Sequence, residues 1–252
     1  MKHVFIVGGT SGIGYSLAQL YLEKGFVVGI CSRDISKISD SQKSNFQVFQ
    51  TNVSNYIQLH ETIESFISKE KKIDIFINCA GCYTEDVADS ISYQQAEEML
   101  QTNVLGTVNA FEVARKIMKN QQSGKIAVIA SVSGILDYEN SSLYTKTKRA
   151  VIQIAKAYHR ALKPFGISVI TIAPGYVDTQ KLRNLNANDL SKKPFLVDEK
   201  TATNIIFNAI ENDKKFVIFP SKMKWLMLSL SVLPSALLNV IMFKKAKWMK
   251  SK

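Results

Sequence analysis

Cysteine is scarce. Cys31, Cys79 and Cys82 are the only three in 252 residues, too few for a disulfide framework and in keeping with a reducing, cytoplasmic setting. Cys79 and Cys82 form a C-x-x-C, but His3, His60 and His159 are isolated and no second Cys/His pair stands at zinc spacing. No metal site is expected. A secretory leader is also missing from the reading: Met1, Lys2 and His3 run into four apolar residues, too few for the apolar core of a signal peptide. Acid is absent from the end of the chain. Nine lysines and no carboxylate follow Asp213, so most of the net charge of +11 belongs to residues 214–252. A nucleic-acid surface on the rest of the chain is therefore not expected. Repeats and low-complexity linkers are lacking too, which argues for one domain rather than an array.

What remains is an alternation of short apolar runs with helical patterns. The runs are residues 4–7 (VFIV), 26–30 (FVVGI), 46–50 (FQVFQ), 73–78 (IDIFIN), 125–131 (KIAVIAS), 167–175 (ISVITIAPG) and 215–219 (KFVIF). Continuous apolar runs suit strands buried on both faces of a parallel sheet. Helices are expected over residues 54–70, 93–120 with a bend, 143–163 and 198–212. Residues 180–197 are expected to form a substrate loop or short helix. The composition, 46% apolar, supports a large core, and the pattern predicts a doubly wound α/β domain.

Two stretches carry chemistry. GGTSGIG at residues 8–14 lies between the first strand and the first helix. In that context Gly8 permits a tight turn, Gly12 lets the backbone approach a pyrophosphate, and Gly14 allows helix to pack on sheet. At the tip of the second strand Ser32 and Arg33 stand where an acid would read a ribose 2′-hydroxyl, with Asp34 one step later; an arginine there suits a 2′-phosphate and favours NADP(H) over NAD(H). The second stretch is residues 131–148. Tyr144 and Lys148, four apart on one helix face, make an acid–base pair in which a cation can lower the phenol pKa. Ser131, at the end of the fifth strand, can polarise a carbonyl.

Together these motifs resemble the short-chain dehydrogenase/reductase family. Gly8-x-x-x-Gly12-x-Gly14 is similar to its glycine loop, Asn78-Cys79-Ala80-Gly81 to its NNAG, and Tyr144-x-x-x-Lys148 to its catalytic signature, with Ser131 thirteen residues upstream. Asn103 falls at its helix asparagine, and Pro174-Gly175-Tyr176-Val177-Asp178-Thr179 resembles PG-x-V-x-T. The resemblance implies a Rossmann fold with a parallel seven-stranded sheet over residues 1–220. It implies catalysis by Tyr144 as general acid or base and Ser131 as carbonyl donor. Lys148 would lower the Tyr144 pKa and hold the nicotinamide ribose, and Asn103 would position a relay water. The implied cofactor site comprises Gly8, Thr10, Ser11, Gly12, Ile13 and Gly14, then Ser32, Arg33, Asn52 and Val53. It continues through Asn78, Ala80, Gly81, Tyr144 and Lys148 to Pro174, Gly175, Val177 and Thr179. A homodimer or homotetramer through the helices around Asn103 and Tyr144 is implied as well. Three departures stand out: Val7 for the usual Thr, Cys79 for the second Asn, and Asn52 for the usual Asp at the adenine.

Residues 221–252 lie beyond this resemblance. Trp225 to Phe243 is a run of nineteen uncharged residues flanked by lysines, about 28 Å as one helix and so close to a bilayer core. Pro234 divides it, and the lysines beyond would have to cross. Three readings stay open: a segment lying peripherally on an anionic membrane through residues 222–250, a cover for a dimer or the active site, and a span. Ser231, Ser235 and Asn239 give the segment one polar seam. In character it resembles the tails of lipid-ketone reductases such as the 3-ketodihydrosphingosine reductases, implying a hydrophobic carbonyl or alcohol substrate. The alternative to an enzyme is an inactive dinucleotide-sensing or membrane-associated interaction protein on the same fold.

Overall fold

The structure, a computed structural model, describes residues 1–84, 91–139 and 141–250, without the side chains of residues 243–250. Seven parallel strands form the main sheet: β1 (His3–Val7), β2 (Val27–Ser32), β3 (Gln47–Gln50), β4 (Ile75–Asn78), β5 (Gly124–Ile129), β6 (Ile167–Pro174) and, on the far edge, the last strand, Phe216–Phe219. The order is β3-β2-β1-β4-β5-β6 and then that last strand. The chain winds outward one way from β1 and the other way from β4, so a crevice opens between them at the carboxyl edge.

Register brings the motifs to that edge. Val7 stands opposite both Cys31 and Asn78, and Ile129 opposite Ile172. The residues at or just beyond the strand ends, Gly8, Ser32, Cys79, Ser131 and Gly175, therefore emerge at one edge. Alternation along β1 explains the two-layered core. Phe5 and Val7 pack under α3 (Tyr56–Glu70), α5 (Gly106–Gln121) and α6 (Leu143–Leu162), whereas Val4 and Ile6 pack under α1 (Gly12–Glu23) and α8 (Glu199–Glu211). Phe5 sits edge-on to Phe66 and stacked on Phe76, at centroid distances of 5.2 and 6.0 Å.

Several expectations are refined. The 93–120 helix is two helices, α4 (Tyr93–Leu100) and α5, joined by one wide i→i+5 turn at Gln101–Leu105 that contains Asn103. Such widened turns expose backbone groups inside a helix and often mark functional sites. A short helix α2 (Asp40–Lys43) was not expected. Residues 180–197 are held at both ends: β7 (Val177–Asp178) pairs in parallel with β8 (Val197–Asp198), and α7 (Gln180–Leu185) lies between. With β7 and β8 in place, the last sheet strand is β9.

The tail forms two helices, α9 (Ser221–Ser231) and α10 (Ser235–Lys250). Pro234 lies at the break, as a missing amide and ring clash require. Among the described residues no helix is long and apolar enough to cross a membrane. The inner side packs on the domain: Met223 lies against Gly175, Leu238 is buried, and Asn239 Oδ1 accepts the Glu139 N–H at 3.1 Å. Of the polar seam, Asn239 docks in this way, while Ser231 Oγ bonds its own helix at Leu228 O. The outer side exposes Trp225 (68%) and Val232 (79%), with Leu237 and Val240 half exposed.

Candidate active site

Ser131 leaves β5 in an extended conformation, with its hydroxyl pinned by the Ser133 N–H and the Ser133 hydroxyl, each at 3.2 Å. Ser142 caps α6 by accepting the Thr145 N–H, which sets Tyr144 in the first turn and Lys148 one turn later. The Tyr144 hydroxyl hydrogen-bonds with Ser131. Lys148 is buried; its Nζ donates to the Ile129 carbonyl at 3.1 Å and lies 5.9 Å from the Tyr144 ring centroid. Tyr83 meets the Tyr144 ring edge-on at 4.8 Å. Ser131, Tyr144 and Lys148 are thus brought together.

Electrostatics corrects one expectation. Burial pushes the Tyr144 phenol up to about 12, against the opposing effect of the Ser131 hydrogen bond. Lys148, expected to draw that value down, is not among the causes of the shift, and its ammonium donates to Ile129 O. Burial lowers Lys148 itself to about 8, and the neighbouring Lys181 adds to the effect. At neutral pH Tyr144 is therefore a protonated donor and Lys148 a cation close to its titration point.

Asn103 joins two elements through its side chain. Its Oδ1 accepts the Cys82 N–H at 2.8 Å, and its Nδ2 donates to Cys82 O at 2.9 Å and Thr147 Oγ1 at 3.0 Å. The amide ties the turn after β4 to α6. Gly81 sits between these groups; a Cβ there would stand 3.2 Å from Lys148 Nζ and 3.6 Å from Asn103 Oδ1. Burial pushes the Cys79 thiol up to about 12, so it forms no thiolate at neutral pH and the C-x-x-C is part of the wall.

The rest of the crevice has the form of a dinucleotide cradle. Gly8 has φ +77°, and a Cβ on it would strike Ala80 N at 2.8 Å; Gly12 has φ +50° and faces open space, bounded only by Thr179 Cγ2 at 3.8 Å. Ser11 makes no side-chain cap, so its hydroxyl does not occupy the first amides of α1, a helix end that favours an anion. Thr10 is buried and donates to Asp34 O. Ser32 ends β2, and Arg33 beyond it pairs with Glu98 at 2.8 Å, both exposed. The Asp34 carboxylate is turned onto Ser36, whose hydroxyl and N–H hold its pKa down.

Other expected cofactor residues serve the wall. Val53 is buried in the core and its carbonyl accepts from Asn109 Nδ2; Asn78 is buried, bonded to Ala80 N and Thr107 Oγ1. Asn52 Oδ1 accepts the Ser54 N–H, with a second lone pair still open. Pro174 and Val177 are buried, and Gly175 N–H donates to Phe219 O. Thr179 Oγ1 accepts the Leu182 N–H, which leaves its hydroxyl hydrogen available.

The comparisons agree with this geometry. The short chain dehydrogenase family profile matches residues 2–190. The chain belongs to the short-chain dehydrogenase family. An oxidoreductase of Staphylococcus saprophyticus is 31% identical over 185 residues, covering 71% of this chain and 79% of that one. One from Staphylococcus haemolyticus is 28% identical over 206 residues, covering 80% and 88%. ElxO, solved with NADP bound, superposes with a TM-score of 0.76 at 27% identity, covering 86% of this chain and 94% of its own. A short-chain dehydrogenase from Streptomyces avermitilis, at 17% identity and TM-score 0.78, shows the shared fold. The protein is thus an oxidoreductase of the short-chain dehydrogenase type. Sequence reasoning missed Tyr83, Glu98 and Lys181. Only Lys181 carried a signal, lying two residues beyond the Thr179 motif.

Proposed function

We propose that this short-chain dehydrogenase is an NADP(H)-dependent enzyme interconverting a hydrophobic ketone or aldehyde and its alcohol. The observation that carries the reading is the convergence of Ser131, Tyr144 and Lys148 beside an uncapped glycine loop. In reduction, Tyr144 gives its proton to the carbonyl oxygen while Ser131 donates a second hydrogen bond where negative charge develops. The nicotinamide, when bound, supplies or accepts the hydride. Lys148 holds the nicotinamide ribose, and its pKa near 8 suits it to hand a proton back to the Tyr144 oxygen. Asn103 acts as a positioning residue, keeping the turn at Gly81 against α6, and the Thr179 hydroxyl serves the carboxamide. The uncapped amides of α1 hold the diphosphate, with Asn52 at the adenine.

Arg33 supports NADP(H) over NAD(H), because Asp34, the acid that follows it in the chain, is engaged with Ser36. ElxO, a structural relative at 27% identity, carries NADP. Tyr83 and Tyr176 flank Tyr144, which favours an apolar substrate. In this reading residues 1–220 are the catalytic domain and residues 221–252 an extension. Its lysines and exposed apolar side chains suit peripheral contact with an anionic membrane on its cytoplasmic face. Exposed Tyr93, Leu100 and Leu105 around the Asn103 turn favour a homodimer or homotetramer there.

The test is NADPH oxidation with ketones of increasing chain length. The rate per unit substrate should climb with chain length, and activity confined to small polar ketones would overturn the apolar assignment. Anionic vesicles should sediment the full chain in a salt-sensitive way and should not sediment a chain ending at Pro220.

A further inference from the structure

The segment after β6 returns across the mouth of the crevice. Its ends are fixed by the β7–β8 pairing. Thr179 lies over the open side of Gly12, on one wall. Two residues later Lys181 reaches the opposite wall, where its Nζ donates to the Gly81 carbonyl at 3.0 Å. Residues 179–181 therefore bridge the crevice from the glycine loop to the turn after β4, across the place where the uncapped amides of α1 await an anion.

Cations outnumber acids around that bridge among the described residues, with Glu98 the one carboxylate acting on Lys181. Lys181 is close enough to Lys148 to act on it, and Lys37 and Arg33 act on Lys181 from the other side. Arg33 has Glu98, and Lys37 has Asp34 at 3.8 Å. Lys148 and Lys181, by contrast, rest on neutral carbonyls, Ile129 O and Gly81 O, and neither has an acidic partner among the described residues. Two neighbouring ammonium groups on carbonyls repel each other, and an anion placed between the walls would offset that repulsion. Solvent still reaches Lys181, so its long side chain is free to change partners.

We propose that Lys181 is a ligand of the bound dinucleotide's diphosphate, resting on the Gly81 carbonyl until the cofactor enters and then clamping it against the glycine loop. The proposal rests on the dinucleotide reading above and adds a contact from this chain's own loop. A diphosphate is common to NADPH and NADH, so Lys181 contributes to affinity without contributing to the choice between them; that choice belongs to Arg33.

The experiment is fluorescence titration of the purified full chain with NADPH and with NADH, for the wild type, Lys181→Met and Lys181→Arg, with thermal melts to compare folding. A charge-assisted contact of this kind predicts that Lys181→Met weakens both nucleotides by about 10- to 100-fold. The NADPH-to-NADH ratio should stay unchanged, the salt dependence should become shallower, and Lys181→Arg should recover most of the loss. Unchanged binding in Lys181→Met would overturn the proposal while leaving the dinucleotide reading intact. A loss for NADPH alone would overturn it too, by moving the ammonium to the 2′-phosphate. A wild type that binds neither nucleotide would overturn the dinucleotide reading and the clamp with it.

Discussion

Residues 1–220 and the tail have similar apolar appetites and opposite outcomes. In the sheet domain, aromatic and branched side chains vanish between layers; Phe5 and Phe66 are fully buried. In the tail, Pro234 divides the apolar run into two helices that lie on the domain by one side only. Trp225 and Val232 are left to solvent. A parallel sheet offers two faces to cover, whereas a pair of short helices at its edge offers no third layer. Apolar content alone therefore does not separate core from contact surface; the number of layers available does.

That contrast can be broken from the reacting end outward. On the proposed mechanism Tyr144→Phe removes the general acid at the carbonyl and should lower turnover by about 10³-fold, with NADPH affinity nearly unchanged. Near-normal turnover would remove Tyr144 from the mechanism. Phe66→Ala, in the core, should cost about 3–5 kcal/mol in a denaturant melt, and a cost below ~1 kcal/mol would mean that the buried layer is looser than the packing indicates.

The next effect depends on pH. Burial lowers Lys148 to about 8, so in the proposed role its attraction for an anionic cofactor is present at low pH and lost as pH rises. NADPH affinity should weaken several-fold between pH 7 and about 9, and titrations that are flat across this range would show that Lys148 does not face the cofactor. Trp225→Ala should sit at the bottom of the scale, within about 0.5 kcal/mol of the wild type in the same melt. A large destabilisation there would put the tail in the core after all.

Much of this was legible in the chain because it depends on local chemistry. A strand, a glycine loop and a helix start are written in consecutive residues, as is the four-residue spacing of Tyr144 and Lys148. The strands fell within a residue or two of their runs for the same reason. What was not legible depends on what lies across a gap. The direction of the Lys148 ammonium, toward Ile129 O, is set by β5, nineteen residues away in sequence. The engagement of the Asn103 amide by Cys82 and Thr147 needs two other elements, and burial around Tyr144 outweighs the Ser131 hydrogen bond in a way no spacing reveals. The β7–β8 pairing joins two-residue strands too short to leave a pattern, and the tail docks through Met223, Leu238 and Asn239, whose partners on the domain are far away in sequence.

The most direct test of the central claim is titration of NADPH and NADH into wild type and Arg33→Ala. The account predicts that wild type binds NADPH more tightly than NADH, and that Arg33→Ala weakens NADPH by about tenfold or more while leaving NADH nearly unchanged. Equal losses for both nucleotides, or no binding of either to the wild type, would contradict it.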